Sequence, residues 1–440
     1  MSMACHAYRA IGIAVLGMLL AGCGGGGGGR PAAGGGTGSG GGPIVNPPPP
    51  PPPNSINRNF RLNAVVSHVR QSPNVGGEYF ASAVAVGDMT GDGRPDIAVM
   101  TAGVAGQTSW PDRESVVMVF RQKPDGALDQ PITVRYLETY SSQTGDMVLS
   151  DLDGNRVNEI VVGHQRGLSV IRYDSQSQSL AATEIVDERQ YNRGFSSIAV
   201  EDYDGDGRPD VLAKRPEYGA VLYKGDGAGG LSGREVEGIP DLSRPNLLAR
   251  DMNGDGRPDL VVYSGDWWFL MLNDGAGSFG EPVKYILPRR QDGSLWIGWG
   301  ADTTDVNRDG RKDLVFSLAS NRPAGIGIYL ARPDGSYELD RVLDSWDIPQ
   351  PIVLADLDGN GLDDIVTVHG GFSDMGYYLQ DPNGFEPETR VSVFINSFPT
   401  SHYFGRTLAV ADINSDGCRD VVIADSQYGL LTLTGANCRK

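Results

Sequence analysis

The chain has little of what most enzymes work with. Its 440 residues include 5 histidines and 4 cysteines, and six of its 37 basic residues are lysines. No nucleophile motif stands out. Positive charge is in deficit: the formal net charge is −18. That excludes the basic footprint that nucleic-acid phosphates require. The apolar run Ile11–Leu20 is ten residues, too short to span a bilayer. Helical periodicity is absent after residue 58, which excludes a helix bundle. What the chain does have is glycine, 61 residues of it, within an ordinary globular mix of 40% hydrophobic and 21% charged residues. The length allows one large domain or two to three smaller ones.

Residues 1–22 read as an export signal. Arg9 precedes the apolar run, small residues follow it, and no acid interrupts it. The end, Leu20-Ala21-Gly22-Cys23, resembles the bacterial lipobox. That resemblance implies cleavage before Cys23 and a lipid on it, a membrane anchor without a span. An ordinary signal peptide is the alternative. Gly24 follows instead of the aspartate associated with inner-membrane retention, so the resemblance implies an exported protein held at the outer membrane. Residues 23–58 then read as a linker. Residues 24–42 hold 13 glycines, and Pro47–Pro53 is an unbroken proline run. Such a run forms a stiff rod of roughly 20 Å on a flexible base. A spacer is the expected role; a proline-rich ligand for an aromatic groove is the alternative.

From residue 59 one nine-residue stretch recurs seven times. It begins at Asp88 (DMTGDGRPD), Asp151 (DLDGNRVNE), Asp202 (DYDGDGRPD), Asp251 (DMNGDGRPD), Asp305 (DVNRDGRKD), Asp356 (DLDGNGLDD) and Asp412 (DINSDGCRD). A near-constant interval of this size signals an array or a propeller. Within each interval a short apolar run precedes the stretch, as in SIAVE, and another follows, as in VLAK. A third run, such as GAVLYK or WWFLML, leads through a glycine turn to a fourth. These runs are strand-length and rich in β-branched residues. Four strands and three turns make one antiparallel blade, so the fold class is all-β, a seven-bladed β-propeller. The seventh interval stops after three strands at Lys440. The unassigned piece 59–69 (NFRLNAVVSHV) is expected to supply the fourth strand and close the ring, with a disordered leader as the alternative. A closed ring leaves no open array edge and is expected to be monomeric.

These repeats resemble the FG-GAP/VCBS family, the seven-bladed propellers of integrin α-subunit heads and many bacterial surface proteins. The resemblance rests on the seven D-x-[DN]-x-[DN]-G-x-x-D stretches and on downstream turns such as NDGAGSFGEP (273–282), and it covers 59–440. It points to adhesive or lectin-like roles.

The stretch itself has the chemistry of a calcium loop. Calcium takes six to eight oxygen ligands. Positions 1, 3 and 5 offer side-chain oxygens, glycine at position 6 permits the sharp turn, position 7 offers a carbonyl, and position 9 a final carboxylate. An EF-hand would need a glutamate at position 12 and flanking helices. Position 12 of the first loop is Val99, inside a strand-like run. The expected ligands are Asp88, Thr90, Asp92, Arg94 and Asp96 in the first loop, and Asp151, Asp153, Asn155, Val157 and Glu159 in the second. The third offers Asp202, Asp204, Asp206, Arg208 and Asp210, and the fourth Asp251, Asn253, Asp255, Arg257 and Asp259. The fifth offers Asp305, Asn307, Asp309, Arg311 and Asp313, and the sixth Asp356, Asp358, Asn360, Leu362 and Asp364. The seventh offers Asp412, Asn414, Asp416, Cys418 and Asp420. The second loop, with Arg156 for glycine and Glu159 for aspartate, is expected to bind weakest or not at all. Arg308 at position 4 of the fifth is expected to matter little if its side chain faces solvent. A hydrogen-bonded Asx turn without metal is the alternative for any one loop. It does not account for 22 carboxylates at ligand positions. Up to seven structural Ca2+ ions are expected, and they would bring the formal charge from −18 to −4.

Cys5 belongs to the signal and Cys23 to the lipid anchor, leaving Cys418 and Cys438 in the last blade. An exported compartment favours a disulfide between them; two free thiols are the alternative. The edge of the ring opposite the calcium loops gathers aromatics and arginines. Arg193, Arg289, Arg290, Trp296, Trp346, His402, Tyr403 and Arg406 are the candidate ligand contacts there. Flat rings suit sugars or protein hot spots, and guanidinium forks suit carboxylate or sulfate. The expected function is therefore a calcium-stabilised, lipid-anchored binding or adhesion module for a glycan or protein, with no catalytic site. A polysaccharide lyase using His402, Tyr403 and Arg406, or an envelope-assembly scaffold, is the alternative.

Overall fold

A computed structural model describes residues 60–63, 66–69, 80–102, 115–136, 145–164, 166–187, 194–243, 245–290, 292–320, 322–370, 374–393, 406–425 and 429–438. The signal, Cys23 and the linker lie outside these residues. All regular structure among them is β. There are seven four-stranded antiparallel sheets among the described residues, and six of them pair strands that are consecutive within their blade in chain order, while the seventh takes its outer strand from the N-terminal side. The third blade is representative, with strands Ser197–Glu201, Asp210–Arg215, Tyr218–Gly225 and Leu231–Val236. Its second strand is buried at every position, while its fourth is mostly exposed. Burial thus falls from the middle of each sheet towards its outer edge, which is why the second runs read as unbroken apolar segments.

The seventh blade has three strands from the C-terminal end, Leu408–Ala411, Asp420–Asp425 and Gly429–Leu433. The fourth is Val66–Val69, antiparallel to Gly429–Leu433. The expected closure therefore occurs. A second short pairing, Arg61–Leu62 with Gly435–Ala436, reinforces it. So does the bond from the Asn63 N–H to the Thr434 carbonyl at 2.9 Å. Between sheets, the first strands touch in order around the ring, and Leu408–Ala411 returns to Phe80–Gly87. The Val84 N–H donates to the Arg406 carbonyl at 2.8 Å across that seam.

The core is divided the same way. Each of seven hydrophobic clusters joins two adjacent blades, and one of them packs Val84, Ile97 and Val99 of the first blade against Val422, Ala424 and Leu430 of the seventh. The largest aromatic group sits between the fourth and fifth blades. Trp268, wholly buried, stacks on Tyr285 at 4.0 Å and meets Phe316, Tyr329 and Tyr337.

Cys418 and Cys438 form a disulfide with a Cα separation of 5.6 Å. It ties the last nine-residue loop to the chain just beyond the closing pair. Replacing both cysteines with alanine is expected to lower stability by about 3 kcal/mol, the value for releasing a loop of this length. Thermal melting under oxidising conditions measures it, and reduction of the native protein is expected to give the same loss.

Candidate metal loops and the arginine face

Each nine-residue stretch connects the first and second strands of a blade, so all seven lie on one face of the ring. The carboxylate at position 1 organises the turn. One oxygen accepts the position-5 N–H at 2.9–3.3 Å, and the other accepts the position-6 N–H at 2.7–2.9 Å, in all seven loops. The chain reaches this geometry by turning left-handed twice. Position 6 has φ between 70° and 89°, as its glycines predict, and position 4 has φ between 60° and 79°. The Arg308 side chain faces solvent, and the fifth loop keeps the same turn bonds as the others. At position 4 its backbone lies at φ 61°, where a Cβ is strained, and Arg156 at position 6 lies at φ 70°. Arg156→Gly and Arg308→Gly are each expected to stabilise the protein by about 1 kcal/mol, read as a rise in denaturation midpoint.

The carboxylate at position 9 has a second task that the sequence pattern did not reveal. It is buried in every loop. One oxygen accepts the position-2 N–H at 2.7–3.2 Å. In six loops the other accepts an N–H at the end of the third strand or just beyond it, at 2.6–3.0 Å. The aspartate therefore ties the loop to the turn between strands three and four. In the second loop the longer Glu159 meets the Arg172 Nε instead, at 3.3 Å.

In four of the loops the position-2 carbonyl in turn binds the loop to the next blade. The Tyr203 carbonyl accepts from Asn273 Nδ2 at 3.0 Å, and that of Val306 from Gln380 Nε2 at 2.8 Å. That of Met252 accepts from the Tyr337 hydroxyl at 3.2 Å, and that of Ile413 from Gln122.

The donor set fits a hard cation. Where position 3 is an aspartate, the carboxylates at positions 1, 3 and 9 place oxygens within 4.8 Å of one another. These sets are Asp151, Asp153 and Glu159; Asp202, Asp204 and Asp210; and Asp356, Asp358 and Asp364. The second loop, expected to be weakest, thus gathers its carboxylates as the third does. Elsewhere position 3 is Thr90, Asn253, Asn307 or Asn414, which offers a neutral oxygen.

Nearby cations lean on the clusters. The Lys224 ammonium contacts Asp204 and lies 2.9 Å from Asp206, and both carboxylates hold its pKa above the ordinary lysine value. Arg94 folds onto Asp92, and Arg311 onto Asp309. Burial, and then the neighbouring carboxylates, push Asp364 up to about 7 and Asp420 to about 6. All-oxygen donors, crowded negative charge and glycine-built turns meet the needs of Ca2+.

The opposite edge of the ring is formed by the turns between strands two and three and by the links between blades. Arg193, His402 and Tyr403 lie outside the described residues. Trp296 is corrected: it is 8% exposed, packs in the core of the fourth and fifth blades, and points its Nε1 at the Pro323 carbonyl at 3.4 Å. Arg289 is exposed and donates to the Gly293 carbonyl at 3.0 Å. Arg290 donates to Ser320 Oγ at 2.6 Å and to the Arg322 carbonyl at 3.2 Å. Arg406 does not face solvent alone. It pairs with Asp146 of the second blade at 3.0 Å and donates to the Ile198 carbonyl of the third at 2.8 Å, so it bridges the ring from the seventh blade.

Trp346 stands between two guanidinium groups that sequence reading did not single out, Arg322 at 3.4 Å and Arg390 at 3.7 Å from its ring. Arg322 comes from the fifth blade and Arg390 from the sixth. Neither is near Trp346 in a repeat pattern, so only the fold reveals the group.

Comparison with known proteins places the repeats. The model of the FG-GAP-like repeat matches residues 151–213, 251–316 and 356–423, and that of the FG-GAP repeat matches 80–109. Together these segments contain all seven loops. No curated protein matches the chain in sequence. Among solved structures, a lectin of Agrocybe aegerita that recognises non-reducing terminal N-acetylglucosamine superposes with a TM-score of 0.50. It is 18% identical, with 71% of this chain and 81% of the lectin covered. BBS1N, solved in complex with ARL6DN, superposes with a TM-score of 0.53 at 9% identity, covering 86% of this chain and 98% of that one. At such identities the likeness is one of fold. Seven matched loops, each joining the first two strands of a four-stranded blade, make this chain a member of the FG-GAP repeat family with a seven-bladed β-propeller fold.

Proposed function

We propose that the protein is a calcium-stabilised binding module, lipid-anchored at the bacterial cell envelope, that recognises a glycan or a protein through the edge opposite its metal loops. The observation that carries this reading is the division of labour between the two faces. One face is committed to metal-type loops that are locked into the blades, as the bonds of the position-9 carboxylates require. The other carries Trp346 between two arginines. A rigid ring with one face tied down by its own loops can spend the other on recognition. The lectin of similar fold agrees with this use, as does the absence of a catalytic motif in the sequence. The test is a glycan array and an affinity pull-down with the full chain in calcium. Specific binding that survives high dilution is expected, and no binding in either assay would overturn the reading. Cys23→Ser is expected to move the protein from the membrane to the soluble fraction, as read by cell fractionation.

A further inference from the structure

A lysine sits on the third metal loop. There the Oδ1 atoms of Asp204 and Asp206 accept N–H groups of the loop itself, from Asp206 at 3.3 Å and from Arg208 at 3.0 Å. The Oδ2 atom of each accepts no backbone N–H among the described residues, which leaves it for a cation. The Lys224 ammonium takes both of these oxygens, in contact with that of Asp204 and 2.9 Å from that of Asp206. Arg94 and Arg311 differ, since each reaches one carboxylate from position 7 of its own loop. Lys224 reaches two, and it comes from the third strand of the blade.

The place is particular to this blade. The next residue, Gly225, donates its N–H to the position-9 carboxylate at 2.9 Å. The same bond marks the matching place in five other blades. It holds Leu272, Leu330, Leu379 and Thr434 in the last four. In the first it holds Arg121, which turns to Asp129 at 3.1 Å. The third loop is also the one with four carboxylates at positions 1, 3, 5 and 9, where each of the others has three. Ligand charge tunes calcium affinity, so by donors alone this loop would bind tightest. The ammonium cancels the extra charge. An ion about 2.6 Å from the free Asp206 oxygen would lie no more than about 5.5 Å from the ammonium. Two positive charges this close repel, so ion and lysine compete for the same oxygens.

We propose that Lys224 is a built-in competitor for calcium at the third loop, holding its affinity down to that of the three-carboxylate loops. The inference deepens the calcium part of the binding-module reading and rests on it. The side chain is 46% exposed, so it can swing into water when an ion enters.

Equilibrium dialysis of the full chain against Ca2+, with bound ions counted across free concentration, tests it. The native protein is expected to show no distinctly tight ion. Lys224→Leu is expected to bind one ion about tenfold more tightly, the scale of repulsion between a divalent ion and a single charge at this distance in water. The remaining ions are expected to bind as before. Adding Asp204→Ala to Lys224→Leu is expected to remove the tight ion, which assigns it to the third loop. Leucine already stands at this place in the fourth blade, 45% exposed at Leu272, so the fold accepts it. Lys224→Gln is expected to act in the same direction, and it decides if Lys224→Leu misfolds. In chelator both variants are expected to melt lower than the native protein, because the crowded carboxylates have lost their resident cation. An isotherm unchanged in Lys224→Gln and Lys224→Leu, or a tightened ion that survives Asp204→Ala, would overturn the competitor and leave the calcium loops standing. No calcium bound to any of these proteins overturns both.

Discussion

Calcium is expected to raise the melting temperature of this protein by roughly 10 °C or more over the same protein in chelator. Each ion that binds the folded ring and not the unfolded chain stabilises by mass action, about 2.7 kcal/mol at a free concentration 100 times its dissociation constant. Several loops act together, and none is isolated from the fold. Loop carbonyls at Tyr203, Val306 and Met252 are bonded to the next blade, so ordering a loop also orders a blade junction. Differential scanning calorimetry with and without calcium, together with a count of bound ions, measures the effect. No shift and no bound calcium would leave the loops as Asx-turn hairpins.

The pH dependence of the two forms is expected to run in opposite directions. Asp364 and Asp420 have folded-state pKa values of about 7 and about 6, above the ordinary 3.8, because burial disfavours the charged form. A carboxylate raised on folding contributes stability that is fully present below its unfolded pKa and is lost as pH rises through the folded value. The chelated protein is therefore expected to melt lower at pH 8 than at pH 5. Calcium binds the charged carboxylates, so its own contribution grows across the same window. Melting curves at pH 5, 6, 7 and 8 in both conditions separate the two.

Asp364→Ala is the substitution expected to cost the most for its size, about 3–5 kcal/mol even in chelator. The side chain accepts the Leu357 N–H at 2.8 Å and the Gln380 N–H at 2.6 Å, and it is wholly buried. Removing it leaves two buried donors without partners. It also loosens Gln380, whose side chain reaches the Val306 carbonyl of the fifth blade. Asp358→Ala, at position 3 of the same loop, is expected to cost less in chelator, because the Asn360 N–H that this buried carboxylate accepts is also accepted by Asp356. It is expected to remove most of the calcium response of that loop. Urea denaturation of both variants, with and without calcium, distinguishes architecture from metal binding. Equal losses for both in chelator would mean that position 9 has no special structural role.

Much of this protein was legible before any coordinates. Seven loops in register marked seven blades, and a seventh interval with three strand-like runs pointed to 59–69 for its fourth strand, because a blade short of one strand leaves an unpaired edge. The acidic positions of each loop were legible too, because alternate acidic residues around a glycine crowd negative charge in a pattern that suits a hard cation. Those features are local, written in periods of two residues and of one blade. What sequence could not supply was how distant segments share a side chain. That position 4 is left-handed in all seven loops is visible only in the backbone, since Arg308 and Ser415 conceal the glycine pattern there. The double duty of the position-9 carboxylate depends on a turn 14 to 26 residues later, at a spacing that varies from blade to blade. Trp296 looked like a ligand contact because an aromatic in a turn reads the same whether it packs inward or outward, and the core of the fourth and fifth blades decided it. Trp346, Arg322 and Arg390 meet because closing the ring brings the link from the fifth blade against the outer strand of the sixth. The local code determined the blades, their number and their metal-type loops. Ring closure decided which of the remaining side chains came together, because those contacts join blades and no repeat encodes them.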